Sequence, residues 1–229
     1  MTEFLRISIL PIVLTLAAFR AGQILQNKWK TPLFNPTIIG TVLVIAFLLV
    51  AGMDMADYTV GTAKLSWLMT PATISLAIPM YEQFQMLRKN LKAIVIGVVS
   101  GAVTCLVFLL LGCLLLRFDP ALTVSLLPKS VTTAIGVPLS ELYGGMGGVT
   151  TAAIIVTGIF ANMMGPTLCK LFHITDPVAQ GVALGTAGHV IGTAKANEVS
   201  PLTGAVSSLS LVVAGLLTAV LFPLLAGAV

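Results

Sequence analysis

Charge is what this sequence has least of. Asp, Glu, Lys and Arg together make up 9% of its 229 residues, whereas soluble globular domains carry roughly 25%. A chain so poor in charge, with 57% hydrophobic residues, cannot cover a water-facing surface. The soluble globular, disordered and extracellular disulfide-scaffold classes are therefore excluded. Nucleic-acid binding goes with them, because the formal net charge is only +4 and the 12 Lys and Arg are dispersed in short clusters between apolar runs. Cysteine is scarce as well. Cys105, Cys113 and Cys169 lie in apolar stretches without a Cys-x-x-Cys spacing, so they read as small packing residues and not as a disulfide framework or a zinc site. Enzyme signatures are missing: there is no phosphate-binding Gly-rich loop with Lys-Ser/Thr, no Gly-x-Ser-x-Gly and no His-Glu-x-x-His. The reading is of a protein that is not an enzyme and carries no cofactor or metal.

Long apolar runs are abundant. About 20 predominantly apolar residues cross a bilayer as a helix, and Phe4–Gly22, Pro36–Gly52, Leu91–Leu116, Val149–Leu171 and Pro201–Val229 read as spans. The stretch Ile7–Ala18 lacks a basic leader and a small-residue cleavage site, so it reads as part of the first span. Three more runs are long enough but interrupted: Leu65–Tyr81 by Pro71 and Pro79, Ala121–Tyr143 by Pro128, Gly136 and Pro138, and Val178–Ala196 by four glycines. In lipid, backbone groups freed by a break must be satisfied by protein or by a water-filled cavity. The fold expected is all-α, a polytopic membrane helix bundle in one integral membrane domain over 1–229. It has about eight membrane elements, three of them discontinuous.

Arg20, Lys28 and Lys30 follow the first span, and Arg88, Lys89 and Lys92 the third. By the positive-inside rule these loops are cytoplasmic and the N-terminus lies outside. Thr70–Glu82 and Thr186–Glu198, each followed by a long apolar helix, suggest a two-fold internal repeat with halves 1–116 and 117–229, the pointer to a secondary transporter. The spacings Gly97-x-x-x-Gly101, Gly181-x-x-x-Gly185 and Gly188-x-x-x-Gly192 suit closely packed helices.

Two stretches hold the candidate chemistry. In Leu127-Pro128-Lys129-Ser130-Val131-Thr132-Thr133 an ammonium lies inside an apolar segment, at a cost of about 2.5–3.5 kcal/mol on insertion scales unless it faces a cavity or a partner. Pro128 suits a first helical turn. Lys129, the hydroxyls of Ser130, Thr132 and Thr133 and the free N–H groups of that turn then form an anion site matched to a carboxylate. In Gly188-His189-Val190-Ile191-Gly192-Thr193-Ala194, His189 and Thr193 are candidate ligands, or His189 caps a broken helix. His189 is also the embedded group able to exchange a proton between about pH 5 and 8. Asn35, before Pro36, and Thr73, in Pro71-Ala72-Thr73, complete the substrate-binding set, although Asn35 reads first as an N-cap and only second as a ligand. Lys195 and Glu198 read as a solvated pair near the membrane edge.

These motifs, with Phe34-Asn35-Pro36 and Pro79-Met80-Tyr81, resemble the LrgB/CidB family along nearly the whole chain. The family usually has Ser and Gly around the His where this chain has Gly188 and Val190, and Arg where Lys195 stands. The resemblance implies a location in the bacterial inner membrane and two competing functions. One is a holin- or antiholin-like regulator of murein hydrolase activity and autolysis, paired with a small LrgA/CidA-type membrane partner. The other is transport of small monocarboxylates, since a similar plastid protein exports glycolate and glycerate and bacterial pairs are linked to pyruvate uptake. A lesion-forming holin needs neither broken helices nor a buried lysine, whereas a selective carrier needs both, so the residues favour a carrier. The partners expected are the lipid bilayer, a small organic anion, a second copy in a homodimer and the small membrane partner.

Overall fold

A computed structural model describes residues 9–29, 36–68, 71, 74–75 and 77–227. Asn35 and Thr73 lie outside these, as do Phe34, Ala72 and part of the interrupted run Leu65–Tyr81. The described residues form ten helices, and their contacts divide the chain into two compact units, Met1–Ser75 and Leu76–Val229.

The first unit holds α1 (Leu10–Trp29), α2 (Pro36–Ala51) and α3 (Met55–Trp67). A Cβ on Gly22 would fall 2.8 Å from the Pro36 Cα, so glycine lets α1 meet the start of α2. The Thr15 and Tyr58 hydroxyls share a 2.8 Å hydrogen bond between α1 and α3.

The second unit holds α4 (Ala77–Glu82), α5 (Phe84–Leu115), α6 (Pro120–Leu126), α7 (Thr133–Leu142), α8 (Gly147–Leu171), α9 (Pro177–Val199) and α10 (Pro201–Ala226). Three of these, α5, α8 and α10, are long and apolar enough to cross a membrane. At 32 residues α5 is about 48 Å long, well beyond a hydrocarbon core of roughly 30 Å. Its polar first turns, with Arg88, Lys89 and Lys92, account for the excess. Helix starts are written locally. Asp119, Asp176 and Ser200 each precede a proline at the first helical position and accept a backbone N–H, from Ala121, Ala179 and Thr203. Side-chain oxygens satisfy free N–H groups there and proline gives up none that is needed. Two helix ends turn on non-glycine residues in left-handed backbone, Arg117 (φ 53°) and His173 (φ 56°). In both the chain folds back so that the next N–H, of Phe118 or Ile174, donates to the carbonyl of Cys113 or Cys169.

The glycine spacings mark close approaches. Gly181 and Gly185 face α10, against Thr203 and Ser207, while Gly97 and Gly101 of α5 face Val182 and Thr186 of α9. Gly188 meets Ala161 of α8. Ile94 and Val98 of α5 and Ala205 and Val206 of α10 are buried between these helices. Ser208 and Ser210 are wholly buried in α10 and donate to carbonyls one turn back, at Gly204 and Val206.

Both interrupted runs of this unit are broken. The first departs in detail from the expectation above. Pro128 does not open a helix: α6 ends at Leu126, residues 127–130 form turns, and α7 starts at Thr133 with Thr132 as its extended N-cap. The preceding Asp119-Pro120 start sets the phase of α6, so Pro128 falls after its end, a position proline tolerates as well as a first turn. The second run continues through α9 but is kinked at His189, whose φ of 42° and ψ of −136° are not helical.

Candidate functional site

A cavity of about 420 Å³ opens among α5, α8, α9 and the turn that precedes α7. Lys129 and Ser130 of the turn line it. So do Gly97, Gly101 and Cys105 of α5, whose two glycines leave room for the α9 side chains. Helix α8 contributes Thr157, Phe160 and Leu168, and α9 contributes Val182, Leu184 and Thr186. The Lys129 Nζ stands 3.4 Å from the Ser130 Oγ, and that oxygen is 3.3 Å from the Cys105 Sγ. Among the described residues the one ion pair is Lys195–Glu198, at 2.6 Å and exposed, so Lys129 faces the cavity without a carboxylate. A lone ammonium on an apolar wall is an electrostatic demand for an anion.

Behind this cavity lies a much smaller space of about 10 Å³, bounded by Ser130, Thr186 and Thr218 among others. Thr186 is 8% exposed and its hydroxyl is the buried side-chain oxygen without a partner among the described residues.

His189 belongs to a separate, packed arrangement. Its ring is buried against Gly158 of α8, and its Nε2–H donates to the Ile154 carbonyl at 3.0 Å. A carbonyl only accepts, so the proton is on Nε2 and Nδ1 makes none of these bonds. A histidine held at a φ of 42° carries backbone strain of about 1–3 kcal/mol. Three contacts hold the kink. The Thr193 hydroxyl lies 2.8 Å from the His189 carbonyl and 2.8 Å from the Ser207 Oγ, and the Asn162 Nδ2 donates to the Ile191 carbonyl at 3.0 Å. Side chains of α8, α9 and α10 thus tie the backbone at and just after the kink to its neighbours.

The sequence candidates therefore fall into groups. Lys129 and Ser130 share the cavity; Thr132 and Thr133 start α7, half-buried and off the cavity wall; His189 and Thr193 stabilise the kink and do not line the cavity. Thr186, Cys105 and Asn162 escaped notice as site residues. A polar amide in the middle of the apolar α8 is a signal that points to Asn162. Thr186 carries none beyond its glycine-rich neighbourhood. No group of three or more His, Cys, Asp or Glu able to hold a metal occurs among the described residues.

Comparison with known proteins gives the family. The model of the LrgB-like family matches residues 15–228. The chain is 36% identical over 213 residues to an antiholin-like protein LrgB of Bacillus subtilis (strain 168), covering 93% of this chain and 92% of that one. It is 35% identical over 214 residues to an antiholin-like protein LrgB of Bacillus mycoides (strain KBAB4), covering 93% of each. No solved structure matches. With these matches and its long apolar helices, the chain belongs to the LrgB-like family and is a helical membrane protein.

Proposed function

We propose that this protein acts in the bacterial cytoplasmic membrane as an antiholin-like regulator, restraining holin-type lesions and with them murein hydrolase activity and autolysis. The observation that carries this reading is the similarity, along 93% of the chain, to proteins named antiholin-like. A small LrgA/CidA-type membrane protein is its counterpart, and the protein works as a homodimer with its N-terminus outside. The test is dye release from liposomes. Vesicles holding this protein alone retain the dye, and adding it to vesicles that hold the small partner slows their release. Equal release with and without it overturns the reading.

One observation favours a second reading, a secondary carrier of small organic monocarboxylates: a Lys129 without a carboxylate partner among the described residues, on the wall of a cavity beside a broken helix. In this reading Lys129 and Ser130 hold the carboxylate, and the halves 1–116 and 117–229 are the two repeats of the carrier. Proteoliposomes given labelled pyruvate, glycolate or glycerate then accumulate label, and Lys129→Ala abolishes it. Undiminished uptake in Lys129→Ala removes Lys129 from the site, and no uptake by the wild type removes the carrier.

A further inference from the structure

Resting on the carrier reading of this same cavity, we infer that its anion bears an apolar chain: a short- to medium-chain monocarboxylate in preference to a two- or three-carbon acid. Size is the first reason. At about 420 Å³ the cavity falls within the roughly 300–1,000 Å³ of pockets that enclose drug-sized molecules. A three-carbon acid fills a small part of it and leaves water against the remaining wall. The second reason is what that wall is made of. Phe160 and Leu168 from α8 and Val182 and Leu184 from α9 present hydrocarbon. Apolar surface is stabilised by apolar contact and not by trapped water, which needs two or more polar partners to stay. Charge is the third reason. Lys129 and Ser130 adjoin in the chain and lie 3.4 Å apart through Nζ and Oγ, which makes them one polar locus. Among the described residues no carboxylate pairs with Lys129. A single carboxylate neutralises it, whereas a second carboxylate on the same ligand would lie unpaired against hydrocarbon. An unbranched acid with its head on Lys129 and its chain along α8 and α9 meets all three demands.

The experiment uses the full-length protein in detergent and labelled hexanoate, displaced by unlabelled acetate, butyrate, hexanoate, octanoate or hexanol. The expected affinity rises about three- to fourfold per added methylene until the cavity is filled. Lys129→Gln weakens every acid by a common factor and keeps that slope. Ala183→Leu, which adds bulk at an exposed position on the cavity wall, weakens octanoate more than acetate. No saturable hexanoate binding by the wild type overturns the inference, and the carrier reading then stands or falls separately on the uptake of labelled pyruvate, glycolate or glycerate. Equal affinity for acetate and octanoate leaves the anion site standing and overturns the inference alone. Hexanol competing as well as hexanoate overturns it too, because the groove then takes hydrocarbon without regard to charge.

Discussion

Gly158 is the position where one added carbon tests the kink. A Cβ there would lie 2.6 Å from both Cε1 and Nε2 of His189, far inside van der Waals contact. The ring is 4% exposed and enclosed on its other sides, so Gly158→Ala must push it off the Ile154 carbonyl. Overpacking of this kind costs about 1–3 kcal/mol, and a buried donor left without its acceptor about 1–3 kcal/mol more. Replacing a helical glycine by alanine returns about 1 kcal/mol. The net expectation is a loss of about 1–5 kcal/mol. Gly112→Ala in α5 is the control, since a Cβ there meets nothing within 4 Å. It keeps the propensity gain, about 1 kcal/mol, without the clash. In a chain of this size 1 kcal/mol moves Tm by about 2–4 °C. Gly158→Ala therefore melts about 2–20 °C below the wild type and Gly112→Ala about 2–4 °C above it. Thermal unfolding in detergent, followed by labelling of the buried thiols of Cys113 and Cys169, reads both. If Gly158→Ala melts as high as Gly112→Ala, the ring is not seated against α8 and the account of the kink is wrong.

Two threonines a short distance apart in α9 should respond oppositely. Thr186→Val removes a buried hydroxyl that has no partner among the described residues and leaves the protein as stable or about 1 kcal/mol more so. Thr193→Val breaks the contacts with the His189 carbonyl and Ser207 and costs about 1–3 kcal/mol, so a lower Tm for Thr186→Val than for Thr193→Val refutes the assignment. At the ends of the same helix, Asp176→Ala loses the cap on Ala179 and about 1 kcal/mol. Lys195→Ala breaks an exposed pair and costs less than about 1 kcal/mol, and the same melts decide whether the cap outweighs the ion pair.

The bounds of several long helices were legible in the residues, but α1 runs on to Trp29 past the expected Gly22 and α5 starts at Phe84, ahead of the expected Leu91. A run expected over Val149–Leu171 is a helix over Gly147–Leu171, and one expected from Pro36 to Gly52 runs from Pro36 to Ala51. Membrane spans depend on the length of an apolar run and on local caps, both of which are one-dimensional properties. The glycine spacings were legible for the same reason: a missing side chain every fourth residue lets any neighbouring helix come close. Pro128 shows where local reading ends. Proline fits a first turn and also the stretch past a helix end, and its place depended on a start at Asp119 that lies well upstream. The same limit applies to the site. His189 was visible as an unusual residue among glycines, but its acceptor is Ile154, 35 residues away on α8, and its kink is held by Thr193, Ser207 and Asn162. Lys129 announced an unpaired charge. That its surroundings are an apolar cavity, shared with Ser130 and not with His189, was decided by the packing of α5, α8 and α9, because enclosure is a property of several helices at once.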